Sequence, residues 1–457
     1  MDTKATPYKR YKPCQVFCAP IFDILSFLSA KCAEITSTLI CDFHLKLQHN
    51  SLLVEAVNSS GKNFVPIPFE YHREIELKIT DITNLGIGIG RVNNWVVMVP
   101  NVCIDEVVIG RIYKNSKNYS LADLVKILQQ STDRINPRCK LAGVCGGCQY
   151  QHISYPAQLS LKKHQVEDAM RRLGGIQFPV NNCIHGDLQY NYRTKVTPHF
   201  QKSVPAIGFL KCGGKNIVDV GRCEIATENI NNKLPLARGE VFAKKNSLKK
   251  GGTLLLRDLG TNVVTNPREI VTQSIGDFKF SFSAGEFFQN NASMLPQLVD
   301  FVKTAASGPK YLVDTYCGVG VFGIVAASNF QNVVGIEISE IATVLAKENA
   351  KKNNLSNIEF ITGSAEKIFQ NIEFQGHETS VIIDPPRSGC TENFLRQLIS
   401  FSPQKITYVS CAPDTQARDL KILSKCYSIT KIQPFDMFPQ TRHVENVVVL
   451  VKTQIDA

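Results

Sequence analysis

Short alternating segments fill the chain between residues 71 and 130. Apolar and polar residues alternate with a period of two in Glu74–Ile79, which is typical of a strand with one buried face. After a glycine-rich turn, β-rich segments cover Trp95–Pro100 and Glu106–Ile112. This even spacing predicts a small β-barrel over residues 71–130. Its basic edge is as compatible with a nucleic-acid-binding module as with a structural module that has a solvated face.

The segment 131–300 mixes both periodicities, so we expect a central α+β domain there. The pattern predicts a basic helix over Ser160–Leu173, strands over Lys195–Phe200 and Ala206–Leu210, and a polar loop over Asn229–Asn232.

Apolar strands alternate with helical segments over residues 301–457. This alternation predicts a parallel sheet with crossover helices, that is, a Rossmann-like α/β domain. One helix is expected over Ser339–Asn353. The predicted strands are Tyr311–Asp314, Val333–Glu337, Ile358–Ile361, Val381–Asp384, Ile406–Ser410 and Asn446–Val451.

Residues 1–70 fit none of these patterns. Basic residues precede the apolar stretch Val16–Ala30, as in a signal peptide. Pro20 and Asp23 interrupt the stretch, and it is shorter than the ~18–20 residues that a membrane span needs. A transit peptide is an alternative that the acidic residues disfavour. We favour a leader of unknown structure, and we expect no contact with a membrane.

The composition is that of an ordinary globular protein, with 457 residues of which 44% are hydrophobic and 20% charged. It excludes disorder, collagen and a coiled-coil rod for the bulk of the chain. The net charge of +11 suggests a polyanionic partner. Fifteen cysteines are too sparse for a disulfide scaffold, and their odd number leaves one thiol unpaired. We therefore expect an intracellular protein, in the cytoplasm, the nucleus or a mitochondrion.

A glycine-rich turn follows the first strand predicted after residue 301. Gly318–Gly323 fits the pattern G-x-G-x-x-G, in which Gly318 and Gly320 let the backbone turn and approach a ligand. Glu337 ends the next strand, where a carboxylate can accept both hydroxyls of a ribose. Asp314 would repel a pyrophosphate but could hold an amine, which favours S-adenosylmethionine (SAM) over a dinucleotide. The alternative for Asp314 is a helix N-cap.

Three later segments carry candidate reactive groups. Asp384 begins D-P-P-R-S-G, where two prolines force the strand to turn, although a chance turn is the alternative. Cys411 ends another strand, and this position favours a nucleophilic thiolate over a buried small hydrophobe. His443 and Glu445 precede the last strand and are candidate acid–base groups.

These groups together suggest methyl transfer to carbon 5 of a pyrimidine. Addition of a thiolate at carbon 6 makes carbon 5 enolate-like, so that it can take the methyl group of SAM. A base then removes the proton from carbon 5, and the enzyme is eliminated. Cys411 as nucleophile and Glu445 as proton acceptor fit these roles.

The chain resembles the RNA uracil-C5 methyltransferase family from about Tyr71 to Val451, and within it the fungal branch that acts on uridine 54 of tRNA. The motifs that carry the resemblance are F-F-Q-N-N (Phe287–Asn291), D-T-Y-C-G-V-G (Asp314–Gly320), D-P-P-R-S-G, S-C-A-P and T-R-H-V-E. The chain departs from the family pattern at three places. The family usually has Asn in place of Ala412, Ala in place of Asp414, and Leu-Pro-Gly in place of Cys103–Asp105.

The resemblance implies a TRAM domain, an OB-like barrel, followed by a SAM-dependent methyltransferase domain. It implies a tRNA substrate bound at its T-loop. Because the target carbon lies inside a folded loop, we expect the base to be flipped out into the pocket, and we infer no obligate protein partner. The resemblance further implies the nucleophile at Cys411 and the base at Glu445. The SAM contacts that it implies are Gln289, Tyr316, Glu337 and Asp384.

Other functions remain open on the sequence. Cytosine-C5 methylation also uses a cysteine, but those enzymes resemble D-A-P-C-S-G where this chain has Arg387. Methylation of an exocyclic amine tends to use N-P-P-Y, which this chain lacks. A ribosomal RNA substrate and a non-catalytic tRNA-binding or tRNA-folding role are further alternatives.

Cys139, Cys145 and Cys148 are closely spaced in the sequence. A tetrahedral set of ligands needs a fourth thiol, for which Cys223 is the best candidate. Zinc ribbons prefer two C-x2-C pairs, whereas one such pair with two separated cysteines suits an iron–sulfur cluster. The resemblance implies a [4Fe–4S] cluster with a structural or RNA-orienting role. The alternative is a relic without metal.

The stretch Tyr190–Lys195 interleaves aromatic and basic residues. With the resemblance, it predicts stacking on unpaired bases and contacts to phosphates. Without the resemblance, the preferred interpretation of this stretch is a solvent-exposed strand with no RNA contacts.

Overall fold

The computed structural model describes residues 65, 67–202, 204–244, 250–364, 369 and 372–453. Nearly all of the predicted leader, residues 1–70, lies outside these residues. Within them, no helix is both long and apolar enough to cross a membrane.

The predicted N-terminal barrel is confirmed. Its strands are β1 (Glu74–Ile82), β2 (Ile87–Val92), β3 (Trp95–Pro100), β4 (Val107–Asn115) and β5 (Tyr119–Gln129). They close in the order β1-β2-β3-β5-β4, with β3 and β5 parallel. Alternate residues of β1 (Ile75, Leu77 and Ile79) are buried in the barrel, as the period of two requires.

The described residues of the central region, up to residue 264, form two α-helices and two small sheets. Helix α1 (Tyr155–Ala169) continues into a π-helical turn at Met170–Gly174. The strands are β6 (Lys195–Val196), β7 (His199–Gln201), β8 (Val204–Leu210), β9 (Ile217–Asp219), β10 (Gly252–Thr253), β11 (Leu256–Asp258) and β12 (Val263–Val264), and helix α2 is Glu228–Lys244. One sheet has the order β10-β7-β8-β9 and the other β12-β11-β6.

The predicted loop at Asn229–Asn232 is wrong, because these residues lie in α2. The buried face of this helix is formed by Ile230, Leu234 and Ala237, three apolar residues spaced at helical intervals. The buried amide of Asn231 donates to the carbonyl of Cys223 at 3.1 Å and accepts the N–H of Cys223 at 2.9 Å. A tertiary contact therefore satisfies the polar group that suggested a loop.

The C-terminal region is the predicted Rossmann-like domain. A hairpin of β13 (Ile270–Ile275) and β14 (Phe278–Ser283) precedes it. The strands of its sheet are β15 (Tyr311–Thr315), β16 (Asn332–Glu337), β17 (Ile358–Thr362), β18 (Thr379–Ile383), β19 (Lys405–Ser410), β20 (Tyr427–Phe435) and β21 (Glu445–Lys452). The helices are α3 (Leu295–Ala306), α4 (Val321–Ala326), α5 (Glu340–Lys352), α6 (Glu392–Phe401) and α7 (Pro413–Leu423), with short 3₁₀ turns at Ala327–Asn329 and Gly376–Glu378.

The seven strands have the order β17-β16-β15-β18-β19-β21-β20. Strands β15 to β19 are parallel, and β21 runs antiparallel to both of its neighbours. The predicted strands are confirmed, whereas β20 was not predicted.

Two apolar layers cover this sheet, because successive residues of a strand face opposite sides. Leu312 packs into a layer with residues of α3, α4 and the β13–β14 hairpin. Val313 packs into the other layer with residues of α6 and α7 and with Val166 and Ala169 of α1. Helix α1 of the central region thus shares the core of the seven-stranded sheet.

Candidate active site

The predicted site residues meet at one edge of the seven-stranded sheet. The parallel strands β15, β18 and β19 are directly followed by Tyr316, Asp384 and Cys411, respectively. Glu337 is the last residue of β16. Carboxyl ends of parallel strands share an edge. Strand β21 is antiparallel, so its first residue, Glu445, lies at the same edge, next to the pair Ser410 and Asn446.

The glycine-rich turn has the backbone that its sequence predicts. Gly318 and Gly320 adopt φ of 55° and 87°, and Gly320 caps α4. A Cβ atom at Gly320 would lie 2.7 Å from a ring carbon of Phe360. Tyr316 also has a positive φ of 58°, a strained conformation that is typical of functional sites. Its ring packs edge-to-face on Phe394 at 5.5 Å.

The Glu337 carboxylate is held in a fixed orientation by two backbone groups. The N–H of Gly318 donates to its Oε2 at 3.0 Å, and the N–H of Ser339 donates to Oε1 at 2.8 Å. Each oxygen keeps a further lone pair. The carboxylate can therefore accept the hydroxyls of a ribose that lies over the glycine-rich turn.

Asp314 is buried beneath the same turn. The N–H of Gly323 in α4 donates to its Oδ2 at 2.8 Å, although the N-cap residue of α4 is Gly320 and not Asp314. Burial, with smaller contributions from the carboxyls of Asp384 and Glu337, raises the pKa of Asp314 to about 7. Oδ1 of Asp314 and Oε1 of Gln289 are buried without a hydrogen-bond partner in the described part of the chain. Two unpartnered acceptors fit a ligand with an ammonium group, such as SAM.

Cys411 lies among charged side chains. Burial raises the pKa of its thiol to about 12, and the carboxyls of Glu445 and Asp384 act in the same direction. The guanidinium of Arg387 hydrogen-bonds the thiol and lowers its pKa. Arg387 therefore favours the thiolate, which is the nucleophilic form.

Glu445 is 5% exposed, and burial raises its pKa to about 8, with Asp384 raising it and Arg387 lowering it. Burial also raises the pKa of Asp384 to about 7. A carboxyl that titrates near neutral pH is suited to exchange protons during catalysis. Burial lowers the pKa of His443 to about 3. Of the two acid–base candidates, Glu445 is the one with an electrostatic effect on Cys411.

Sequence reasoning did not assign a role to Arg387 or Gln416. The position of Arg387 in the D-P-P-R-S-G motif, near the candidate Asp384, was the sequence feature that could have indicated a role for it. The buried amide of Gln416 in α7 donates to the carbonyls of Tyr408 at 2.9 Å and Asn446 at 3.2 Å. It accepts from the Asn446 amide at 2.7 Å. Gln416 thus links the strand that leads to Cys411 with the strand that begins at Glu445.

Asp414, which stands where the family usually has Ala, contacts the barrel. The amide of Asn84, between β1 and β2, donates to Asp414 at 2.5 Å. Arg442 donates to the carbonyl of Asn84 at 3.0 Å. The barrel therefore contacts the segment that follows Cys411 and the segment that precedes Glu445.

The four predicted cluster cysteines are neighbours. Burial, together with the thiols of Cys223, Cys145 and Cys139, raises the pKa of Cys148 to about 12. Across the residues that the structure describes, however, no group of three or more His, Cys, Asp or Glu side chains is spaced to hold a metal ion. The four thiols are therefore near one another, without the spacing that a single metal ion requires.

The stretch Tyr190–Lys195 has a structural role. Tyr192 is 2% exposed and its hydroxyl donates to the carbonyl of Pro439 at 2.9 Å. The Lys195 ammonium donates to the carbonyls of Gly285 at 2.7 Å and Glu286 at 2.9 Å. The prediction that this stretch stacks on bases is wrong for Tyr192, because the ring packs within the protein.

Known proteins share this arrangement of sequence and fold. A family model described as tRNA (Uracil-5-)-methyltransferase matches residues 257–453. A tRNA (uracil(54)-C(5))-methyltransferase of Schizosaccharomyces pombe is 40% identical, over 88% of this chain and 82% of that protein. The protein of the same name from Saccharomyces cerevisiae is 32% identical, over 98% of this chain and 84% of that protein.

A solved structure agrees with these sequence matches. It is the Pyrococcus abyssi tRNA (uracil-54, C5)-methyltransferase in complex with S-adenosyl-L-homocysteine, with a TM-score of 0.66 and 25% identity, covering 82% of this chain and all of that one. Together with the geometry of the strand-end site, these matches show that the chain belongs to the tRNA (uracil-5-)-methyltransferase family.

Proposed function

We propose that this protein methylates carbon 5 of uridine 54 in the T-loop of tRNA, with SAM as the methyl donor. The observation that carries the proposal is the grouping of Cys411, Glu445, Asp384 and Arg387 at one edge of the sheet. The activities named for the two fungal relatives and for the Pyrococcus abyssi structure support the substrate and the position.

The glycine-rich edge is suited to bind SAM, which supplies an electrophilic methyl group when bound. The preoriented Glu337 carboxylate would accept the ribose hydroxyls. Asp314 and Gln289, which have unpartnered buried oxygens, would accept from the ammonium group. Tyr316 and Asp384 border the same edge and would complete the pocket.

Cys411 would begin the reaction by attacking carbon 6 of the uracil. The electrons of the C5–C6 double bond move toward O4, so that carbon 5 becomes nucleophilic. Carbon 5 then bonds to the methyl carbon, and the sulfonium–methyl bond breaks with its electrons on sulfur. Arg387 favours the initial thiolate through its positive charge and hydrogen bond.

Glu445 would complete the reaction by taking the proton from carbon 5. The released electrons reform the C5–C6 double bond, the C6–sulfur bond breaks, and Cys411 leaves as the thiolate. Glu445 then loses the proton to solvent. Its pKa of about 8 makes both the acceptance and the release of this proton feasible near neutral pH.

The test incubates purified protein with methyl-labelled SAM and an unmodified tRNA transcript. We expect labelled 5-methyluridine from the wild type and none from Cys411→Ala. A transcript with cytidine in place of uridine 54 is the matched substrate control, and it should remain unlabelled. Label at another uridine would contradict the proposed position.

The alternatives give different outcomes in the same assay. Label in 5-methylcytidine would indicate cytosine methylation, and label only in ribosomal RNA would replace tRNA as the substrate. RNA that is bound but never methylated would indicate a non-catalytic binding or folding role.

We also propose that Cys139, Cys145, Cys148 and Cys223 hold a [4Fe–4S] cluster. Four neighbouring thiols are the donor set that such a cluster uses. The methyl transfer involves no electron transfer, so the cluster's role would be structural. Anaerobic purification should give iron and acid-labile sulfide that Cys148→Ser loses. Active protein free of iron would contradict this proposal.

A further inference from the structure

The loop that precedes Glu445 is held by side chains from the central region. The loop comprises residues 436–444, between β20 and β21. Residues of the central region that hydrogen-bond to it include Tyr150, Tyr155, Gln158, Lys162, Ile184 and Tyr192. Such dense bonding leaves the loop little freedom.

A fully buried ion pair lies at the start of this loop. The ammonium of Lys162, in α1, is 2.5 Å from Oδ1 of Asp436, and both side chains have no exposed surface. The hydroxyl of Tyr155 donates to Oδ2 of Asp436 at 2.9 Å. Lys162 also donates to the carbonyl of Phe438 at 3.0 Å, while the N–H of Phe438 donates to Asp436 at 3.1 Å. The pair therefore fixes the chain direction from Asp436 to Phe438.

Hydrogen bonds continue from this pair toward Glu445. The carbonyl of Phe438 also accepts the N–H of Thr441 at 3.2 Å and its hydroxyl at 2.8 Å. The Thr441 hydroxyl oxygen accepts the N–H of His443 at 3.3 Å. Glu445 follows two residues later, as the first residue of β21.

We propose that Lys162 and Asp436 are positioning residues for Glu445 as the catalytic base. The inference rests on the proposed function, because it assigns their effect to the removal of the proton from carbon 5. The central region would thereby fix the entry of the chain into β21 and hold the Glu445 carboxylate beside Cys411. Burial of an ion pair is costly and is often replaced by apolar residues without loss of stability, which is consistent with a role beyond stability.

The test is the double substitution Lys162→Met with Asp436→Leu, which removes both charges together. Removal of both partners avoids the unpaired buried charge that a single substitution would leave. The matched control makes the same changes, Lys310→Met with Glu378→Leu, at an ion pair before β15 and β18. That pair lies at the opposite edge of the sheet from the active site.

Slow proton removal should trap the methylated RNA on Cys411. In the Lys162→Met, Asp436→Leu protein we expect a denaturant-resistant protein–RNA adduct that accumulates during turnover and carries the labelled methyl group. We expect kcat to fall about tenfold or more and the KM values for tRNA and SAM to fall with it, because an adduct that accumulates lowers the apparent KM while kcat/KM stays close to the wild-type value. The control protein should show neither change.

A tRNA that contains 5-fluorouridine separates the two chemical steps. Fluorine at carbon 5 cannot leave as a proton, so the adduct is trapped whether or not the base is positioned. The wild type and the double variant should trap it at equal rates. Absence of a Cys411-dependent adduct from the wild type would overturn the proposed function, and with it this inference.

Two results would overturn the positioning role alone. One is release of product from the folded double variant at the wild-type rate. The other is loss of adduct and product together, since the defect would then precede proton removal. If the double variant does not fold, Tyr155→Phe removes one hydrogen bond to Asp436 and should prolong the adduct about twofold to fivefold. An unchanged adduct lifetime in Tyr155→Phe would then overturn the inference.

Discussion

Substitution of Glu445 by glutamine is expected to stabilise the folded protein at alkaline pH while it abolishes turnover. Burial, together with the charge of Asp384, raises the pKa of Glu445 from 4.5 to about 8. Between these pH values the folded state keeps a proton that the unfolded state has lost. The free energy of unfolding therefore decreases as pH rises through this interval, and the cost is complete above pH 8. Glutamine keeps the shape without this charge.

The magnitude follows from the pKa. Each pH unit within the interval is worth about 1.4 kcal/mol, so the advantage of Glu445→Gln over the wild type should grow by at most about 3 kcal/mol between pH 5.5 and pH 8.5. Asp384 also has a raised pKa and titrates in the same range, so the two carboxyls share the cost. We expect a gain of about 1–2 kcal/mol, or roughly 1–3 °C in Tm.

The assay is urea denaturation of the wild type and Glu445→Gln at pH 5.5, 7.0 and 8.5. Glu392→Gln is the matched control, because Glu392 is exposed and its ion pair with Arg396 lowers its pKa instead of raising it. This control should gain no stability as pH rises. A difference between Glu445→Gln and the wild type that does not grow with pH would refute the buried, uncharged state of Glu445.

Three further predictions concern the residues around the reactive pair. Arg387→Met should slow the alkylation of Cys411 by iodoacetamide at pH 8.5 by roughly tenfold, the effect of one pKa unit, as measured by mass spectrometry. Gly320→Ala should weaken SAM binding in calorimetry by at least about tenfold, because its Cβ would lie 2.7 Å from an aromatic ring carbon; Gly318→Ala, with no neighbouring atom within 4 Å, should weaken it less. Gln416→Met should lower the free energy of unfolding by about 2–4 kcal/mol in urea denaturation, since it removes three buried hydrogen bonds.

Local patterns predicted the elements that carry the candidate chemistry. The period of two gave the barrel, and apolar strands followed by glycines, prolines or reactive residues gave the edge where Cys411 and Glu445 lie. Such signals work because a strand or turn is specified by residues that are neighbours in sequence. Helix α2 and strand β20 were missed, since their polar groups find partners outside the local segment: Asn229 of α2 donates to Asp258 and to the carbonyl of Gly260, and β20 pairs with β21.

Fold class, strand-end motifs and the reactive residue types were determined by the sequence itself, because periodicity and turn chemistry act over a few residues. Only the tertiary structure decided how these groups affect one another. Burial of Glu445 and Asp384 beside Cys411 sets their pKa values, and burial depends on the whole packed sheet. The buried pair of Lys162 and Asp436 joins residues 274 positions apart, a separation that no local pattern encodes.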